Sequence, residues 1–141
     1  MRKETGAAAR DPRFPMTNSS DLATEGINVD DLCSYAVDVW VSDHSILTDE
    51  QRLLQVLRQA AEKGNAQVLG EASHVFPNGA VTAILLLSAS HLSIHTWPEF
   101  SLANVDLLAY GRLNGERMMQ SVELALSPTK INVTRMLRAV H

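Results

Sequence analysis

A chain of 141 residues, 45% apolar and 20% charged, is long enough to bury one core without disulfide or metal staples. Its formal charge of -4, with no cluster of Lys and Arg, argues against a nucleic-acid partner, and no apolar run approaches the roughly 20 residues of a membrane span. The single cysteine, Cys33, excludes an internal disulfide and fits a reducing, cytoplasmic setting.

Residues 1–31 mix Gly, Pro, Ser, Asn and charges without an apolar period, and they lack the apolar stretch of a secretory signal. They read as a flexible N-terminal tail, leaving 32–141 as the single domain. Residues 33–42 alternate, with Tyr35, Val37, Val39 and Val41 on one face and Asp38 on the other, which predicts a half-buried strand. Thr48 and Gln51 have the spacing of a capping box, with Thr48 as N-cap. Leu53, Leu54, Leu57, Ala60 and Ala61 then follow at helical spacing, and Gly64 supplies the stop. Residues 66–76 predict a second strand. Pro77-Asn78-Gly79 is a turn signal that joins it to a third, 80–87, as a hairpin. That third strand shows no alternation, which predicts cover on both faces.

Further on, residues 103–110 predict a strand closed by Gly111. Residues 116–126 carry Met118, Met119, Val122, Ala125 and Leu126 as a helical stripe ended by Pro128. Residues 130–138 predict a last strand, with Ile131 and Val133 facing one way. The order β-α-β-β followed by β-β-α-β predicts an α+β fold, a two-layer α/β sandwich with a largely antiparallel sheet and helices on one face. The other face is left for a partner subunit.

Chemistry is concentrated in residues 88–99, SASHLSIHTWPE, which hold hydroxyls, two imidazoles, an indole and a carboxylate directly after the core strand. Buried polar groups need partners, so such crowding is costly for a purely structural element. His91 and His95 share a strand face, but a zinc site would need His74 or His44 as a third ligand, and no Cys or Asp cluster accompanies them. Ser90 or Ser93 beside a histidine suits a nucleophile, yet the Gly-x-Ser-x-Gly elbow is absent. From these patterns alone, hydrogen-bonded core histidines beside a rigid Trp97-Pro98 turn account for the stretch at least as well.

The block Ser90-His91-Leu92-Ser93-Ile94-His95-Thr96-Trp97-Pro98-Glu99, followed by Val105-Asp106, resembles the processing-site block of the prokaryotic S-adenosylmethionine decarboxylases. The resemblance extends from about Leu32 to the C-terminus. It implies a proenzyme that cuts itself between Ala89 and Ser90, giving a β chain that ends at residue 89 and an α chain that begins at residue 90. Ser90 becomes a covalent pyruvoyl group, the only cofactor implied, with no metal. The substrate amine forms a Schiff base with that ketone, which accepts electrons as carbon dioxide leaves. The implied setting is polyamine biosynthesis, with a small amino-acid-type substrate and a homodimer of processed αβ protomers.

The resemblance also carries roles onto single positions. His95 matches the histidine that assists processing, and Thr82 stands where the family usually has a serine. Phe76 matches an aromatic that stacks on adenine, while Leu92, Trp97 and Glu99 match residues that line the substrate site from the partner subunit. Two positions depart from the pattern. The family's proton-donating cysteine falls at Tyr110, a bulkier side chain and an ordinarily weaker acid. The glutamate before the cleaved bond is Ala89. These departures leave open the same chemistry on L-ornithine or L-arginine, and also a non-catalytic partner subunit of an active paralogue. Cys33 reads as a small buried strand residue rather than as the missing acid.

Overall fold

A computed structural model describes residues 32–138; the expected tail, 1–31, lies outside the described residues. Six strands form one sheet: β1 (Leu32–Val41), β2 (Val68–Val75), β3 (Val81–Leu87), β4 (Ser90–Trp97), β5 (Leu102–Tyr110) and β6 (Pro128–Leu137). Their spatial order is β2-β3-β4-β5-β1-β6, and every neighbouring pair is antiparallel. Two helices, α1 (Glu50–Lys63) and α2 (Arg112–Leu126), pack on one face. The α+β two-layer expectation is met.

The core lies between the helices and that face of the sheet. Cys33, Tyr35, Val37, Val39 and Val41 of β1 are buried, as their alternation demands. From α1, Leu53, Leu54, Val56, Leu57, Ala60 and Ala61 are buried, with Val81, Ala83, Leu85, Leu92 and Ile94 in the same cluster. Each fully buried Leu or Ile contributes about 1.5–3 kcal/mol of transfer free energy, so this seam dominates stability.

Several local expectations are corrected. Thr48 is not the cap of α1: it ends a 3-10 turn (His44–Thr48), and its hydroxyl faces back toward the Ser45 carbonyl at 3.4 Å. Asp49 caps instead, accepting from the Arg52 N–H at 3.1 Å. The second helix begins at Arg112, four residues before the expected start, because Gly111 at φ 103° turns the chain straight out of β5. Strand β3 is not covered on both faces. Val81, Ala83, Leu85 and Leu87 are buried, whereas Thr82, Ile84 and Leu86 face the side without helices, where Leu86 is 54% exposed.

Two glycines let the helices close on the core. A Cβ on Gly64 would lie 2.6 Å from Met118 Cγ, so the end of α1 and the middle of α2 approach through that glycine. At Gly115 a Cβ would overlap the Tyr35 ring and sit 2.6 Å from its Oη. Tyr35 is locked in place, its hydroxyl donating to the Arg112 carbonyl at 3.1 Å, and burial drives its pKa well above the usual phenol range. Gly→Ala in an exposed helix interior stabilises by about 1 kcal/mol. Overpacking costs about 1–3 kcal/mol and reverses the sign here. The Gly115→Ala protein is therefore expected to unfold at lower urea concentration than the parent. An unchanged or higher midpoint would show that Tyr35 gives way freely.

Candidate active site

The turn between β3 and β4 is as short as a hairpin allows: Leu87 pairs with Ser90, leaving only Ser88 and Ala89 at the tip. Ser90 carries φ 102°, a region that favours glycine, and holding a serine there costs about 1–3 kcal/mol. Alternation along β4 would place Ser90 on the helix side with Leu92 and Ile94. The positive φ breaks that alternation at the strand's first residue, and Ser90 lines a groove on the open face instead.

That groove has a volume of about 510 Å³ and is lined by Thr82, Ile84 and Leu86 of β3, Ser90, His91, Ser93 and His95 of β4, and Leu108 of β5. Its size falls within the roughly 300–1,000 Å³ of small-molecule sites. The register explains its polar wall. Thr82 is the direct partner of His95, and Thr82 Oγ1 lies 3.0 Å from His95 Nδ1. When Nδ1–H donates to the hydroxyl, Nε2 keeps its lone pair and can take up a proton.

Three of the four expected catalytic residues line this one groove: Thr82 and His95 touch, while Ser90 stands at the hairpin end, five residues and so about 16 Å along β4 from His95. The fourth, Tyr110, stands half-exposed at the end of β5, two residues beyond Leu108 on the same face, outside the groove lining. Ala89 sits at the hairpin tip.

The expected substrate residues are dispersed. Phe76 is exposed just beyond β2, edge-on to His74 with ring centroids 4.7 Å apart. Trp97 ends β4 on the open face, and its indole N–H donates to Asn104 Oδ1 at 2.7 Å. Glu99 is exposed in the 3-10 turn Pro98–Phe100. Leu92 does not reach the groove: it is fully buried against the helices.

Sequence reasoning missed Ile84, Leu86 and Leu108 as groove walls, because apolar residues on a strand read as core whichever face they take. It also missed Asn104. The signal available was its polar side chain on the same face of β5 as Asp106. Among the described residues no three His, Cys, Asp or Glu side chains converge as metal ligands.

Comparison with known proteins points to one family. A family model described as S-adenosylmethionine decarboxylase matches residues 34–139. An S-adenosylmethionine decarboxylase proenzyme of Pyrobaculum islandicum is 41% identical over 70 residues, which span 49% of this chain and 56% of that one. An S-adenosylmethionine decarboxylase proenzyme 2 of Bacillus anthracis is 34% identical over 105 residues, 74% of this chain and 85% of its own. Among solved structures, the adenosylmethionine decarboxylase of Aquifex aeolicus superposes with a TM-score of 0.72 at 26% identity, over 79% of this chain and 93% of that one.

Proposed function

The chain belongs to the S-adenosylmethionine decarboxylase family, and from that premise we propose that it is a self-processing, pyruvoyl-dependent carboxy-lyase of polyamine biosynthesis acting on S-adenosylmethionine. The observation that supports this best is one groove lined by Ser90, on a strained backbone, and by the hydrogen-bonded pair Thr82 and His95.

Processing is chemistry of the chain's own residues. Ser90 Oγ attacks the Ala89 carbonyl carbon, and the Ser90 nitrogen departs from that carbon, leaving an ester. A base takes the α-proton of residue 90, the part that the resemblance gives to His95, and the ester oxygen leaves with the Ala89 carboxylate. The resulting dehydroalanine tautomerises to an imine, takes up water and releases ammonia, leaving the ketone on the α chain. A natural side chain contains no such carbonyl; the pyruvoyl group supplies the electron sink that decarboxylation needs.

The residues present fit this group. The hairpin tip presents the bond to be cut, and the Thr82–His95 hydrogen bond holds the imidazole in the same groove as Ser90. Tyr110 takes the place of the family's proton donor, with its hydroxyl as the available acid. Phe76, Leu92, Trp97 and Glu99 are assigned to substrate recognition by resemblance. For Leu92 that role is indirect, through packing beneath the groove. A homodimer of processed protomers would cover the open face, and the cytoplasm is the proposed location. No helix among the described residues is long and apolar enough to cross a membrane.

A second reading rests on Tyr110 and Ala89. A phenol in place of the usual thiol, and a methyl in place of a carboxylate, suit a changed substrate, L-ornithine or L-arginine. Release of carbon dioxide from each of the three substrates tests both. Turnover of S-adenosylmethionine is expected to exceed the others. Turnover of ornithine or arginine alone would establish the second reading. A chain that cuts itself yet releases carbon dioxide from none would sink both.

A further inference from the structure

Polar side chains from four adjacent strands join in one line across the open face. The Trp97 indole N–H of β4 donates to Asn104 Oδ1 of β5 at 2.7 Å, and Asn104 Nδ2 donates to Asp38 Oδ1 of β1 at 2.8 Å. Asn132 Nδ2 of β6 donates to Asp38 Oδ2 at 3.3 Å. The register aligns Asp38 directly with Asn104 and Asn132, and Trp97 reaches Asn104 diagonally, since the direct partner of Asn104 on β4 is His95.

The chemistry also fixes its direction. An indole N–H can only donate and a carboxylate can only accept, so Asn104 serves both in just one of its two amide orientations. At the other end stands Trp97, 42% exposed and two residues beyond His95 on the same face of β4. A large exposed ring ordinarily keeps its rotamer freedom, and tethering one costs side-chain entropy. That cost is recovered when a ligand meets a ring already in place.

We propose that Asp38, acting through Asn104, is a positioning residue that holds the Trp97 ring as a preset flat wall against the adenosyl portion of the substrate. The inference rests on the S-adenosylmethionine reading given above, and it assigns to Asp38 and Asn104 a part in specificity. An indole face stacks well on a purine ring. An aliphatic amino acid offers nothing flat to meet it, so a tethered ring would not help select ornithine.

The test compares the full-length parent with Asp38→Ala, Asn104→Leu and Asp38→Asn. Three readouts are taken: the two tryptophan indole N–H resonances, the Kd for 5′-methylthioadenosine, and self-cleavage by intact mass. In Asp38→Ala and Asn104→Leu the Trp97 indole resonance is expected to move upfield, with the Kd rising about tenfold and cleavage unchanged. Asp38→Asn is expected to restore both, because Asn104 Nδ2 needs only one carbonyl oxygen. A Trp97 resonance unmoved in Asp38→Ala, or moved with the Kd within twofold of the parent, would overturn the inference. So would a parent that cuts itself and does not bind methylthioadenosine, an outcome that leaves self-processing intact. A parent that fails to cut counts against the proposed function instead, and the resonance and titration still decide the role of Asp38.

Discussion

Ser90→Ala is expected to leave a single uncut chain, while the parent resolves into two pieces that meet between residues 89 and 90. Intact mass reads the outcome directly: the parent's shorter piece should begin with a blocked, pyruvoyl N-terminus. Alanine at 90 meets the same φ of 102° as serine, so the substitution removes the hydroxyl without changing the backbone demand. That backbone assists the reaction only modestly. A strain of about 1–3 kcal/mol, fully relieved in the transition state, accelerates cleavage by roughly five- to 150-fold. Peptide bonds are far too inert for that factor to suffice, so the nucleophile and its proton acceptor must supply the rest. A parent that remains uncut under native conditions would show that strain and hydroxyl together fall short, and the non-catalytic partner reading would take over.

How much of this was legible depended on which face a residue takes. Strand β1 was readable because Tyr35, Val37, Val39 and Val41 fall on alternate positions opposite Asp38, and all four are buried together with Cys33. Strand β3 was misread for the complementary reason. Ile84 and Leu86 are as apolar as Leu85, so periodicity could not tell that they wall a groove rather than a second core. The start of α2 was hidden because its first turn includes Gly115, whose task is to admit Tyr35 and not to favour helix. Within the candidate site, Ser90 and His95 stood out through the ten-residue block they share with a known family. The left-handed φ that brings Ser90 into the groove has no sequence signature at a serine. Asp38 and Asn104 are 66 residues apart and meet only because β1 and β5 are sheet neighbours, a pairing that no local pattern announces.

His95→Asn should slow self-cleavage by roughly 100- to 10,000-fold, the usual weight of a positioned general base. Asparagine keeps a polar side chain of strand-compatible size but has no nitrogen lone pair to accept the α-proton of residue 90. The Thr82 hydroxyl acts on the same step through the imidazole, because its bond to Nδ1 sets which ring nitrogen is free. Thr82→Val retains the β-branched shape and removes only the oxygen, so its effect should match one lost hydrogen bond, about three- to tenfold. Thr82→Ser should cleave at the parental rate. These residues lie on the face away from the helices, so none of the three substitutions removes buried packing, and unfolding midpoints serve as the control for a local effect. Freshly synthesised chains followed by intact mass give the rates. Cleavage of His95→Asn at the parental rate would remove His95 from the reaction. Equal losses from Thr82→Val and Thr82→Ser would mean that shape rather than the hydroxyl governs the imidazole.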